Sequence, residues 1–165
     1  MNNPIEDIAR VAAIGAGATA MMDLWLLLLK RLGIPTLDFA LIGRWVAHWR
    51  RGVFRHAAIA KAPAVEGELA LGWLVHYASG IAFATLLVAV SGIAWTRSPS
   101  FAPALCVGVA TVAAPWLLMQ PAMGAGIAAS RTRTPGINRI RSLANHAVFG
   151  LGLYVAAVLL ALVPL

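Results

Sequence analysis

The chain has 165 residues, 61% hydrophobic and only 12% charged. An ordinary soluble domain carries about 25% charge, so this composition excludes one and points to an integral membrane protein. The formal net charge is +7, yet eleven of the thirteen Lys and Arg fall between apolar runs rather than over a surface, which excludes nucleic acid as the partner.

The first apolar run, Val11–Leu29, is free of charge except for Asp23. It predicts a span over about 8–29, close to the ~20 residues that cross hydrocarbon. Ala18-Thr19-Ala20 has the small-x-small form of a cleavage site, but Glu6 and Asp7 outnumber Arg10 ahead of the run. A secretory signal wants a basic start and a short apolar core, so the helix is expected to be retained. Lys30 and Arg31 close it with side chains suited to snorkelling.

Gly33-Ile34-Pro35 breaks the helix. Thr36 is a candidate N-cap with Asp38 in the first turn of a second helix, over about 37–50. There Ile42, Trp45, Val46 and Trp49 recur at i, i+3, i+4 and i+7, while Arg44, His48 and Arg51 fall on other faces. This pattern fits an amphipathic helix lying in the membrane interface, and equally one packed over the end of a bundle. His48 and His56 belong to this basic stretch. Residues 54–68 read as an irregular return.

Residues 69–96, 98–130 and 142–165 contain no Asp, Glu, Lys or Arg. They predict spans over about 69–95, 101–129, with bends at Pro115 and Pro121, and 143–163. The fold class is therefore an all-α membrane protein. We expect one integral membrane domain over 1–165: a four-helix transmembrane bundle with an interfacial amphipathic helix in the first loop. The single Cys106 rules out an internal disulfide and is expected to pack as a small hydrophobe.

Four spans put the two basic stretches on one side. The positive-inside rule makes that side the cytoplasm, with both termini periplasmic in a bacterial inner membrane. The basic loops would then meet anionic lipid. A homo-oligomer or a larger membrane complex is a further possible partner. Two echoes suggest a parallel pseudo-repeat: His76 to Gly80 with His146 to Gly150, and Gly15, Thr19, Trp25 with Gly108, Thr111, Trp116.

An acidic side chain near the centre of a span costs roughly 2.5–3.5 kcal/mol on insertion scales, so it usually faces the protein interior. Asp23 lies seven residues from Lys30, about 10 Å at helical rise. His76 reaches a similar depth on the second span, with His146 and Asn145 early on the fourth and Gln120 on the third. Stripes of small residues, such as Gly72, His76, Gly80 and Ala84, mark these faces as helix-facing. A carboxylate beside imidazole in low dielectric can move a proton or cation. Asp23, His76, His146, Met22, Met119 and Met123 can also ligate a transition metal, copper above all, and paired His can ligate haem. None of these has diagnostic spacing, so the cofactor stays open. Each residue also has a plainer role, with Asp23 and His76 locking helices and the Met packing. No nucleophile stands with a base and an oxyanion donor, so no enzyme activity is assigned.

Several segments carry a resemblance. They are Gly17-Ala18-Thr19 with Met22-Asp23-Leu24-Trp25, Gly33-Ile34-Pro35, Gly43-Arg44-Trp45, Leu71-Gly72-Trp73 with His76-Tyr77, Met119 to Gly124 through Ser130, and His146 with Phe149-Gly150-Leu151-Gly152. In these the chain resembles a bacterial family of small inner-membrane proteins classified only as a domain of unknown function. The resemblance implies a multi-span membrane protein and brings no activity or ligand with it. The expected function is that of a small transport or permeation protein with a buried Asp–His site. The alternatives are a metal- or haem-binding subunit and an accessory partner of a membrane complex.

Overall fold

The computed structural model describes residues 3–162 and is all-helical, with no strand among them. Helix α1 is Pro4–Arg31. The Asn3 side chain caps it by accepting from the Ile5 N–H at 3.0 Å, and Pro4 sits where its missing N–H costs nothing. Glu6 and Asp7 in the first turn and Lys30 and Arg31 in the last complement the helix dipole. Gly33, at φ +74°, turns the chain out while the Ile34 N–H returns to the Leu29 carbonyl at 2.9 Å.

Helix α2 is Phe39–His48. Its N-cap is Asp38, which accepts from the Ala40 N–H at 2.9 Å, rather than Thr36. The carboxylate both satisfies an orphan amide and meets the positive helix end. His48 was expected beside the arginines on an outer face, but it is buried.

Helix α3 is Glu68–Ser91. It stops before the expected 95 because Gly92 takes φ +81° and Ile93–Thr96 tightens into a 3-10 turn, with Trp95 and Thr96 buried. Helix α4, Phe101–Ala110, is followed by a π-helical turn at Pro115–Met119 and by the short α5, Gln120–Ala122. Each proline removes an N–H and crowds the carbonyl four residues back, and widening the turn accommodates this. The apolar run thus ends at Ala122, not near 129, because Gly124 and Gly126 take positive φ.

Helix α6 is Pro135–Ala161 and begins eight residues before the expected 143. Pro135 is suited to a first helical turn, and the charges of Arg139 and Arg141 do not prevent a helix from continuing. The expected end at 163 lies outside the described residues. Four helical runs, Pro4–Arg31, Glu68–Ser91, Phe101–Ala122 and Pro135–Ala161, are long and apolar enough to cross a membrane. Leu24, Leu74, Val90, Leu118 and Leu159 are each at least 60% exposed. Apolar side chains left outside on this scale suit lipid rather than water. Cys106 is also exposed, on an outward face rather than packed within.

The chain divides into two compact units. Unit 1 comprises Met1–Pro35, Tyr77–Thr111 and Ala144–Leu165, and unit 2 comprises Thr36–His76 and Val112–Leu143. In unit 1, α1, α3, α4 and α6 pack around Ile14, Ala18, Ala84, Leu87, Phe149 and Leu153. Glycines set the crossings. A Cβ on Gly15 would stand 2.6 Å from the Ile81 Cα, and one on Gly152 would stand 2.9 Å from the Ala18 Cα. A Cβ on Gly108 would overlap the Gly150 Cα. The two echoing pairs, Gly15 with Gly80 and Gly108 with Gly150, therefore occupy equivalent crossings. In unit 2, Gly43 of α2 and Gly72 of α3 bring those backbones together, and the 54–62 segment is tied to the end of the third run. There the His56 N–H donates to the Ala122 carbonyl at 2.7 Å and the Ile59 N–H to Met123 at 3.1 Å.

Candidate functional site

The polar groups of unit 1 come from all four of its helices. Asp23, half-buried on α1, accepts a hydrogen bond from the Tyr77 hydroxyl of α3 at 2.9 Å. Two residues further along α1, the Trp25 indole N–H donates to the Asn145 amide oxygen of α6 at 2.9 Å. The next residue, His146, places its Nδ1 2.8 Å from the Thr111 hydroxyl at the end of α4. Thr111 has one hydroxyl proton, and it goes to the Gly108 carbonyl. Met22 packs against the apolar core of this unit.

Tyr77, Trp25 and Thr111 were not singled out as site residues, although each hydrogen-bonds one that was. Tyr and Trp heads buried in an apolar setting normally find a partner. That signal was available and is easily lost when both types are counted only as hydrophobic.

In unit 2, His76 stacks in an aromatic group. Its ring centroid lies 4.4 Å from Phe39 and 5.9 Å from Trp73. Gln120 opens α5 with its Oε1 buried and no hydrogen-bond partner among the described residues. Met123 is buried and Met119 half-buried. Of the candidate metal ligands, Asp23, His146 and Met22 thus belong to unit 1, and His76, Met119 and Met123 to unit 2. Among the described residues, no three His, Cys, Asp or Glu side chains group as a metal site.

A second set of ionisable groups lies at the other end of α1. Arg97 pairs with Glu6 at 3.1 Å and with Asp7 at 2.8 Å, and the buried Arg10 pairs with Glu6 at 3.0 Å. Two cations and two anions balance there.

His48 and His56 of unit 2 lie with ring centroids 5.0 Å apart. Burial holds His56 below the ordinary imidazole range, and the charge of His48 adds to this. The folded state therefore resists protonation while the unfolded state takes up a proton below about pH 6.5. Stability falls as pH drops through that value towards the lowered one. Thermal midpoints recorded from pH 8 to pH 5.5 should decline, and His56→Gln should flatten the decline. An unchanged slope in the variant would contradict this account.

Long apolar helices with small-residue crossings and polar groups held inside define a multi-pass helical membrane protein. The chain belongs to the family described as a protein of unknown function (DUF2938), whose family model matches residues 12–160. No curated protein and no solved structure matches it.

Proposed function

We propose that the protein sits in a bacterial inner membrane with both termini periplasmic, and that the Asp23 carboxylate handles a proton or small cation. The single observation that carries the functional reading is the Tyr77 hydroxyl donating to Asp23 at 2.9 Å within apolar spans. Carboxylates inside membrane spans are rare, face the protein interior and commonly mark proton or ion paths. His76 precedes Tyr77 on α3 and is the candidate second proton carrier, on its residue chemistry.

The orientation is supported by charge. Glu6, Asp7, Arg10 and Arg97, ahead of the first span and between the second and third, balance one another, whereas the stretches 30–68 and 131–141 hold eleven Lys and Arg against three Asp and Glu. An excess of that sign marks the cytoplasmic side.

The test is proton or cation flux in proteoliposomes under an imposed gradient, read by a pH-sensitive dye. Wild-type protein should dissipate the gradient. Asp23→Asn, an isosteric change, should reduce the rate by about tenfold or more, the scale at which a single proton-transfer group contributes. Tyr77→Phe and His76→Gln should slow it less. Flux that persists unchanged in Asp23→Asn, with the thermal midpoint retained, would sink the proposal.

A further inference from the structure

The cationic groups of unit 2 are used unequally. Arg44 takes Glu68, and Arg139 donates to the Ala128 carbonyl at 2.8 Å. Arg55 and Arg131 are exposed, and neither guanidinium has a carboxylate or carbonyl partner among the described residues. Both line one open cavity of about 570 Å³, together with His56, Gly126, Ile127 and Ser130. No carboxylate lines it. Two like charges facing one space repel each other unless something anionic lies between them.

The backbone beside the cavity is held in an uncommon turn. Gly124, Gly126, Ala128 and Ala129 have φ of 96°, 76°, 47° and 59°. A left-handed conformation at a residue with a Cβ costs roughly 1–2 kcal/mol, and here two consecutive alanines adopt it. The Ser130 and Arg131 amides return to the Ile127 and Ala125 carbonyls, which ties this turn together where it lines the cavity. The His56 Nε2 is also buried without a hydrogen-bond partner among the described residues. Two guanidinium forks, a hydroxyl and an imidazole outnumber the oxygens of a carboxylate. They match the several oxygens of a phosphate.

We propose that this cavity binds a phosphate group, gripped by Arg55 and Arg131 and completed by Ser130 and His56. Inorganic phosphate and an anionic phospholipid headgroup present the same chemistry. The site is separate from Asp23 and does not rest on the function proposed there.

The experiment uses the full chain in nonionic detergent. One arm titrates inorganic phosphate by calorimetry. The other titrates phosphatidic acid into mixed micelles with phosphatidylcholine and counts retained lipid by native mass spectrometry. Saturable binding is expected in at least one arm. Saturation by phosphate identifies a free anion as sufficient, and saturation by the lipid alone identifies the headgroup. Arg55→Gln and Arg131→Gln should each weaken binding about tenfold or more, as loss of a charge-assisted hydrogen bond does. Arg50→Gln removes the same charge away from the cavity and should change binding by less than about twofold. Gly126→Ala keeps every charge, but its Cβ would stand 2.9 Å from the Arg131 Cγ, and it should weaken binding too. Absence of saturable binding in both arms overturns the proposal, as does Arg50→Gln weakening it as much as Arg131→Gln.

Discussion

Gly108→Leu should yield little folded protein in detergent, and what folds should melt at a markedly lower temperature. A Cβ at this position falls onto the Gly150 Cα of α6 and lies 3.1 Å from the His146 carbonyl. Both neighbours are backbone, so no side chain can rotate away, and the helices must separate. Overpacking a core ordinarily costs about 1–3 kcal/mol, and displacing a helix crossing belongs at or beyond the upper end. In hydrocarbon the loss is compounded, because close backbone approach is itself what holds such helices together. The same crossing carries the Thr111–His146 contact and the Gly108 carbonyl that accepts from the Thr111 hydroxyl, so the variant should also disturb that polar group. Gly136→Leu is the control. It is another helical glycine, with nothing within 4 Å of an added Cβ, and it should fold as well as wild type. Thermal unfolding followed by circular dichroism compares them, and equal losses in the two variants would refute the packing argument.

The small-residue stripes that make this prediction possible were legible in the sequence. Gly15, Gly80, Gly108 and Gly150 stood out as repeats at helical spacing, and the fold places them at crossings. The four apolar runs and the amphipathic helix were equally plain, because charge is excluded from hydrocarbon whatever the tertiary structure. Element ends were harder to read. Gly92 ends α3 early and Pro135 starts α6 early, and each acts through a single backbone preference that hydropathy does not weigh. Asp23, Asn145 and His146 stood out as polar residues in apolar runs, whereas Tyr77, Trp25 and Thr111, which hydrogen-bond them, did not. Partner choice depends on helix rotation, and Tyr77 and Trp25 count as hydrophobic until their polar heads are given a place. The cavity of unit 2 was hidden for a different reason. Arg55 and Arg131 read as topology charges, and nothing in Ala128-Ala129 announces a left-handed backbone.

Glu68→Gln should release α2 from the start of α3 and open the first loop to protease. Within unit 2, Arg44 and Glu68 form a two-pronged pair, with Nε to Oε2 at 2.8 Å and Nη2 to Oε1 at 2.7 Å. Each partner is anchored a second time. Arg44 donates through Nη1 to the Ala62 carbonyl at 3.1 Å, and Glu68 accepts from the Val65 N–H at 2.9 Å. Both side chains are mostly covered, at 13% and 15% exposure. Removing one partner therefore strands the other in poor solvation, which costs more than the pair contributes as a unit. The close Gly43–Gly72 crossing lies beside it, so α2 should loosen along its length. Thermal midpoints should fall by several degrees in Glu68→Gln and in Arg44→Gln, and trypsin should cut faster after Arg50, Arg55 and Lys61. Exchanging the pair, Arg44→Glu with Glu68→Arg, should not restore stability. An arginine at position 68 opposes the positive end of α3 and cannot accept from the Val65 N–H, while a glutamate at position 44 cannot donate to Ala62. Full rescue by the exchange would mean that charge alone matters there. Unchanged protease sensitivity in both single variants would mean that α2 is held by its glycine crossing without help from the pair.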